Sequence, residues 1–187
     1  MLTPYLSNPL EVMHKLEREA YRAFHQRHIV HKADHFYNFC ITALSMKDSI
    51  LNHLGKKTKS EKDLYYVEWA KQPCLIAATE IANTAKHMIL TQRCNKTREQ
   101  KITEPKTKEV IPSSTSIVNI YEDDQGNRFA DIDDNYPDYK VILESGNELS
   151  LHEFTKNVIG YWRDYLSHSG IDYKKQDTKV YFGIDET

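Results

Sequence analysis

The sequence predicts an α+β fold that is mostly helical: an antiparallel bundle of four to five helices, with a small antiparallel β-meander inserted before the last long helix. Two observations predict this class. Apolar residues recur at helical spacing in capped segments within residues 8–91 and 150–170, whereas between about residues 110 and 149 the period is that of strands. We expect a single domain over residues 1–187, with residues 171–187 as a C-terminal tail.

Length and composition narrow the class of protein. The chain has 187 residues, and its 25 basic and 27 acidic residues give a formal net charge of −2, which argues against wholesale electrostatic binding to nucleic acid or membrane. The N-terminal segment MLTPYLSNPLEV lacks the pattern of a signal peptide, and no window is apolar enough to span a membrane, so we predict a cytoplasmic protein. The three cysteines form no CxxC pair, and we expect reduced thiols, no zinc and no cofactor.

The first helix has three start signals: Asn8 as N-cap, Pro9 at the first helical position and Glu11 to complete a capping box. The helix is amphipathic, and its apolar face consists of Leu10, Met13, Leu16, Ala20 and Phe24. After a short break near residues 28–31, a second helix runs to Gly55, whose tolerance of positive φ suits the position after a helix.

The second helix, residues 31–55, is apolar almost all round from Phe36 to Met46, which predicts a buried central helix. One narrow polar stripe of short side chains follows it at steps of three and four residues: Asp34, Asn38, Thr42, Ser45, Ser49 and Asn52. Because the middle of this stripe carries no charge, it predicts either hydrogen bonds to a neighbouring helix or a groove.

Two shorter helices and the strands follow. Ser60 is the expected cap of a third helix over residues 61–71, and Pro73 opens a small-residue-rich fourth helix that extends to about Thr91. A polar, locally basic loop leads to three predicted strands, SIVNIY, NRFADI and YKVILE, with Gly126 and Gly146 in the turns. Ser150 and Glu153 form a capping box for the last helix, which stops at Gly170.

Two clusters have the composition of metal sites but not the full pattern. The histidines fall at spacings of three, three and four beside Asp34, but a predicted helix break divides them: His25, His28, His31 and His35. A solvated or hydrogen-bonded histidine face is the favoured interpretation. The acidic run DIDDNYPD starts like a calcium loop but has Tyr136 at the glycine position and Ile142 at the closing glutamate position, so we interpret it as a solvated turn between strands.

A polar face of the fourth helix is a candidate binding site. Glu80, Asn83 and His87 recur at helical spacing, and Lys86 lies beside them. Such a set can bind a phosphate and transfer a proton, although an ordinary solvated helix face explains it equally simply. Charges interrupt the apolar run of the central helix at Lys47 and Asp48, where they are costly unless paired. If the two helices are neighbours, these side chains converge on one polar pocket.

The segments DHFYNFCITALSMKDSIL, IANTAKH and FTKNVIGYWRDYL, with the β-meander between the last two, resemble an uncharacterised group of bacterial and phage helical proteins. The bundle of that group is similar to that of HEPN proteins, a superfamily that includes RNA-cleaving toxins and defence nucleases. The resemblance covers most of the chain. The superfamily signature is an arginine, usually followed by a polar residue, with four to six residues between the arginine and a histidine. No arginine precedes His87 at that spacing.

The signature spacing does occur elsewhere. Arg163 and His168 match it in the last helix, where simple surface is the alternative, and the pairs Arg18 with His25 and Arg22 with His28 match it in the first helix, where we interpret them as accidental. The catalytic candidates are therefore His87, Lys86, Arg163 and His168. The binding candidates are Asn83, Lys47, Asp48 and Glu80, and no metal ligand is proposed.

Two functions of different class follow. The resemblance implies a HEPN-like, RNA-directed protein in a toxin or defence context, a metal-independent ribonuclease or an inactive relative, acting as a homodimer. The alternative is a non-catalytic interaction module of phage or bacterial origin, so the sequence leaves open whether the chain is an enzyme. In the first case the histidines and lysines should cluster with basic loops in one concave site. In the second they should scatter, and an apolar patch should remain exposed.

Overall fold

The computed structural model describes residues 8–90, 107–171 and 173. It confirms a mostly helical α+β protein with five helices and a three-stranded antiparallel sheet. The elements in chain order are α1 Pro9–His25, α2 Ile29–His53, α3 Lys59–Trp69, α4 Pro73–Leu90, β1 Thr107–Glu122, β2 Arg128–Leu143, β3 Glu148–Ser150 and α5 Leu151–His168. Among the helices of these ranges, none is long and apolar enough to cross a membrane.

The core forms around α2, which packs against α1 on one side and α4 on another, while α5 packs against α1 and α4. Phe39, Cys40 and Met46 of α2 are completely buried, which confirms the expectation of a buried central helix. Their burial among apolar side chains removes them from water and supplies the main driving force for folding. The same environment raises the pKa of the Cys40 thiol, so this cysteine behaves as a small hydrophobic residue.

The predicted caps of α1 and α5 are confirmed. The side chain of Asn8 accepts a hydrogen bond of 3.1 Å from the backbone amide of Glu11. At the other end of the chain the Ser150 hydroxyl accepts from the Glu153 amide at 3.2 Å, while the Glu153 carboxylate accepts from the Ser150 amide at 2.9 Å. Each bond satisfies an amide that the first turn of a helix leaves without a partner.

The predicted cap of α3 is wrong by two residues. Thr58, and not Ser60, is the N-cap: its hydroxyl accepts from the Glu61 amide at 3.4 Å, and the Glu61 carboxylate accepts from the Thr58 amide at 3.0 Å. This capping box starts α3 at Lys59 because the Thr58 to Glu61 spacing allows both bonds, whereas Ser60 lies inside the first turn. The preceding helix ends as predicted at Gly55, which has φ +66°.

The second and third predicted strands are one strand. NRFADI and YKVILE both belong to β2, and the acidic run between them lies inside this strand rather than in a turn. A register shift between Thr115 and Ile117 of β1 accommodates the irregular stretch. Pro137 is tolerated because β3 pairs only with residues 140–142 of β2, which leaves the second edge of β2 free at Pro137. The observed third strand, β3, follows the Gly146 turn.

The inner half of the β1–β2 hairpin is fixed to the helices. Val141 is completely buried and Tyr136 almost so. The Tyr136 hydroxyl donates to the Phe24 carbonyl at 2.9 Å, and the Tyr139 hydroxyl donates to the Ile29 carbonyl at 3.1 Å, so β2 is attached where α1 passes into α2. The outer half, residues 117–134, extends beyond this attachment and is mostly exposed. We call residues 117–134 the hairpin arm.

Candidate functional site

The structure places α2 and α4 side by side, as the polar-pocket hypothesis requires, but gives Lys47 a different partner. The Lys47 ammonium donates to the Thr79 hydroxyl at 2.8 Å, and that hydroxyl donates to the Leu75 carbonyl at 2.8 Å. Burial lowers the pKa of Lys47, and the charge of Asp48 partly opposes this shift. Lys47 therefore links two packed helices through a chain of hydrogen bonds, which is a structural use of a half-buried cation.

The remaining members of the predicted pocket are spread along α4 and α2. Glu80 and Asn83 are half-buried on α4, and Asp48 is exposed on α2. The side chains of Lys86 and His87 lie outside the described part of the structure, although both residues belong to α4. Among the described members, Lys47 points to Thr79, one turn before Asn83 along the helix.

Arg163 and His168 lie in two different depressions. Residues five apart on a helix are separated by about 140° around its axis, so their side chains leave α5 in different directions. Arg163 Nη2 donates to Glu17 Oε1 at 2.9 Å, in a groove between α1 and α5. His168 lines a depression of about 440 Å³ with Glu68, and its Nδ1 lies 2.7 Å from the Asp164 carbonyl oxygen. Since a carbonyl only accepts, Nδ1 carries the proton in this contact.

The α1–α5 groove has a volume of about 710 Å³ and was not predicted from the sequence. Its aromatic walls come from Tyr21, Phe24 and Tyr161, and His25 and His152 lie at one end of it. Burial, followed by the charge of Lys32, lowers the pKa of His25, so this imidazole is neutral at pH 7. The groove therefore has the mixed apolar and polar lining that is typical of binding sites.

An ion pair between a buried carboxylate and a partly exposed guanidinium lies at the other end of this groove. Glu17 is 8% exposed, and its Oε1 accepts from Arg163 and from the Tyr173 hydroxyl. Burial and the Glu17 carboxylate raise the pKa of Tyr173, which keeps the phenol protonated as a donor. Within residues 8–90, 107–171 and 173, Glu17 Oε2 and Arg163 Nε have no hydrogen-bond partner. No sequence signal pairs Glu17 with Arg163, because the two residues are 146 positions apart.

The polar stripe of α2 lines a second groove, of about 380 Å³, between α1 and α2. The Thr42 hydroxyl donates to the Asn38 carbonyl and the Ser45 hydroxyl donates to the Ile41 carbonyl, both within α2. The sequence left two alternatives for this stripe, a groove or hydrogen bonds to a neighbouring helix, and the structure shows a groove. The Thr42 and Ser45 hydroxyls bond back to their own helix.

The histidine run divides between three environments. His25 lines the α1–α5 groove, and the His28 and His31 rings contact each other at 4.7 Å. His35 Nδ1 lies 3.3 Å from Glu19 Oε2. A search of the described residues finds no group of three or more His, Cys, Asp or Glu side chains placed to hold a metal ion.

Five of the nine large apolar side chains that are exposed in the described residues lie on the hairpin arm, where strand register sorts side chains by face. Val118 pairs with Ile132, and Ile120 pairs with Ala130, so these four residues share one face. Val118, Ile120 and Ile132 are 61%, 71% and 62% exposed. The opposite face contains Asp133, which binds Arg27 of the helical body at 3.1 Å, so the apolar face is directed outward. We call the four residues the outer face of the arm.

The arm is also strongly acidic. Residues 117–134 contain six acidic residues and one arginine. The arginine, Arg128, binds Glu122 at 3.0 Å across the strand pair. Asp123 has a structural role in the turn, because its carboxylate accepts from the Gln125 and Asn127 amides at 2.9 and 2.8 Å. A hydrogen bond from the Asn127 side-chain amide and then the backbone amides lower the pKa of Asp123, and Gly126 supplies the positive φ of +81° that the turn requires.

Helix α3 presents a second exposed apolar surface. Trp69 is its only residue that is buried in the described chain, and it attaches α3 to α5 through ring contacts with Trp162 at 5.4 Å and Tyr165 at 5.8 Å. Leu64 and Val67, one turn apart, are 74% and 63% exposed. Four lysines precede or begin this helix: Lys56, Lys57, Lys59 and Lys62. We call Lys56–Val67 the α3 surface.

No family model, curated protein or solved structure matches this chain.

Proposed function

We propose that this chain is a non-catalytic protein-interaction module of bacterial or phage origin, in which an antiparallel helical bundle carries the hairpin arm as its binding element. The observation that carries the proposal is the outer face of the arm, where Val118, Ile120 and Ile132 are each more than 60% exposed. A contiguous apolar face on a protruding ribbon gains free energy when another molecule covers it, and such faces mark interaction sites.

The attachment of the arm to the helices supports a binding role for its exposed apolar face. Tyr136, Tyr139 and the Arg27–Asp133 ion pair attach the hairpin to the junction of α1 and α2. An isolated two-stranded ribbon is marginally stable, whereas one held at its base keeps a defined direction. A held arm loses less conformational freedom on binding than a free one, so more of its contact energy contributes to affinity.

The charge of the arm selects the class of partner. With six acidic residues and one arginine, the arm repels the phosphate backbone of a nucleic acid. It complements a protein surface that combines apolar side chains with a rim of lysine or arginine. The partner class is therefore a protein with a basic, apolar surface.

A second candidate function, RNA binding by a HEPN-like protein, is favoured by one observation. His25 and His152 lie near each other in the α1–α5 groove with Lys156, and a neutral His25 can accept a proton from a 2′-hydroxyl. Against it, Glu17 and Asp164 also line this groove, and Glu17 already binds the Arg163 guanidinium that a phosphate would need. We therefore rank protein binding first.

Site-specific photo-crosslinking in the native host tests this ranking. The photoreactive residue p-benzoylphenylalanine is placed at Ile120 or Phe129 of the arm, and at Glu144 of the exposed β2–β3 turn as the matched control. We expect a discrete protein adduct from each arm position and none from the control. Absence of any adduct from both arm positions would contradict the proposal.

The same cells test the RNA function. Crosslinked RNA is measured for the wild-type chain and for the variants His25→Ala, His87→Ala and His168→Ala. Protein binding by the arm predicts no RNA above background in any of them. RNA that is recovered from the wild type and lost in one histidine variant would put the RNA-directed function first.

A further inference from the structure

We infer that the partner of the hairpin arm is the α3 surface of a second copy of this chain, and that each copy inserts its arm against the other. This inference rests on the proposed function, because it names the occupant of the same binding element. Both surfaces expose apolar side chains that a partner can bury, and their net charges are opposite.

Exposure is the first argument. Nine large apolar side chains are exposed within the described parts of the chain, and eight of them belong to the arm or to α3. On the arm they are Val118, Ile120 and Ile132 of the outer face, together with Tyr121 and Phe129, which pair with each other on the opposite face, and on α3 they are Leu64, Tyr66 and Val67. Within the described chain, the arm contacts the helices mainly through its base, Asp133 and β2 beyond residue 135, and α3 packs against the core through Trp69 and Tyr65. Each surface thus has apolar area to bury and few internal contacts that would be lost on burying it.

Charge is the second argument. The arm carries six acidic residues and one arginine, whereas the α3 surface, residues 56–67, carries four lysines against Glu61 and Asp63 and is therefore net basic. The single glutamate, Glu61, is engaged in the capping box with Thr58, so the lysines dominate the start of α3. An acidic apolar surface and a basic apolar surface on one chain repel their own kind and attract each other. Arm-to-arm and α3-to-α3 pairing are therefore disfavoured, and arm-to-α3 pairing is favoured.

Reciprocity is the third argument. A contact between two different surfaces closes into a dimer only when each copy uses both surfaces toward the same neighbour, and otherwise it continues into chains. A reciprocal dimer buries the outer face of the arm and the α3 surface of both copies.

Charge reversal with exchange tests the pairing. One variant carries Glu122→Lys and Asp124→Lys on the arm, where Glu122 lies on the side of the outer face, and the other carries Lys57→Glu and Lys59→Glu on the α3 surface. These positions avoid Asp123, which holds the turn, and acidic residues at a helix start favour α3 itself. The control, Glu144→Lys with Glu148→Lys, reverses two exposed acids of the β2–β3 turn and breaks only the surface pair with Lys140.

Analytical ultracentrifugation of the full chain at about 0.1–100 μM, which covers the micromolar end of the affinities of standard-size interfaces, measures the outcome. We expect the wild type and the control to sediment as dimers, whereas larger assemblies would contradict reciprocal pairing. Each reversal variant alone should weaken association at least about tenfold, because like charges then face each other. An equimolar mixture of the two should recover wild-type association, since both contacts of the mixed dimer are again complementary. Circular dichroism confirms that each variant is folded.

A monomeric wild type, reversal variants that associate normally, or a mixture that fails to recover association would each overturn the inference. These results leave the proposed function intact if the photoreactive arm still yields an adduct with a different protein. An arm that yields no adduct with any protein, this chain included, would overturn both.

Discussion

Lys32 is a charged residue in the core whose structural role no sequence pattern reveals. It is completely buried, and its ammonium donates to the carbonyls of Ala23 and Phe24 at 2.8 Å each. It thereby satisfies acceptors in the last turn of α1, where the helix dipole also favours a cation. The ammonium lies 4.8 Å from the centre of the Tyr136 ring, so the same residue joins α1, α2 and β2.

We expect Lys32→Met to lower the free energy of unfolding by about 2–3 kcal/mol, because it leaves two carbonyls without their charged donor while the aliphatic packing is kept. Urea denaturation at pH 7 measures the difference. The matched control, Lys59→Met on the exposed start of α3, should change stability by less than about 0.5 kcal/mol. Equal effects of the two substitutions would show that the Lys32 hydrogen bonds contribute nothing.

The pH dependence of stability provides a second test at Lys32. Burial lowers the pKa of this lysine to about 8, and the charge of Asp138 partly opposes that shift. Since the folded-state pKa is below that of the unfolded chain, the unfolded chain binds the proton more tightly between pH 8 and 10.5, and raising the pH favours folding. The free energy of unfolding of the wild type, relative to Lys32→Met, should rise by about 1–2 kcal/mol from pH 7.5 to 9.5. A fall over this interval would contradict the shift.

The packing of α1 against α5 brings together residues that are far apart in the sequence. Their packing places Glu17 beside Arg163 and forms the groove that His25 and His152 share. Helix α3, by contrast, depends on one side chain. Trp69 contacts Trp162 and Tyr165, and the other residues of α3 are exposed or half-buried.

This asymmetry predicts a large difference between two substitutions in α3. Trp69→Ala should lower the free energy of unfolding by about 3–5 kcal/mol, because it empties a completely buried aromatic site. It should also speed amide hydrogen exchange throughout Lys59–Trp69. Leu64→Ser in the same helix should cost less than about 0.5 kcal/mol, since Leu64 is 74% exposed. Comparable losses of stability for the two variants would mean that Leu64, like Trp69, is covered by the rest of the monomer.

At the scale of the whole molecule, fold and proposed function occupy different parts of the chain. The helices and the inner half of the hairpin contain the core, whereas the arm and the α3 surface contain eight of the nine large apolar side chains that are exposed in residues 8–90, 107–171 and 173. Changes in these two surfaces should therefore alter association and leave folding intact.

The triple variant Val118→Thr, Ile120→Thr and Ile132→Thr tests this separation. Threonine keeps the β-branched shape that strands favour while removing apolar surface. We expect the midpoint of thermal unfolding at low protein concentration to change by less than about 3 °C, and binding of a hydrophobic dye to fall by at least about half. Val30→Thr, at an exposed apolar position outside both surfaces, is the control. A cooperative loss of structure in the triple variant would show that the outer face belongs to the core.

Much of the local structure was predictable because its causes are local. The caps at Asn8 and Ser150, the stop at Gly55 and the buried run of α2 depend on residues within a few positions of each other. Two predictions were wrong where local signals compete. Ser60 and Thr58 both qualify as caps, and Pro137 within an acidic run has the composition of a turn. Pairing with β1 keeps that run in β2, which no local pattern reveals.

The mostly helical class, the order of the helices and the charge of each segment follow from the amino-acid sequence, because spacing and composition suffice for them. The three-dimensional packing of the chain determines which side chains meet. It paired Lys47 with Thr79 and Glu17 with Arg163, and it separated Arg163 from His168 although the two match a sequence signature. It also decided which apolar residues stay outside the core. The pattern of Val118, Ile120 and Ile132 is that of any half-buried strand, and only the length of the hairpin beyond its attachment at Tyr136 leaves them without a covering layer.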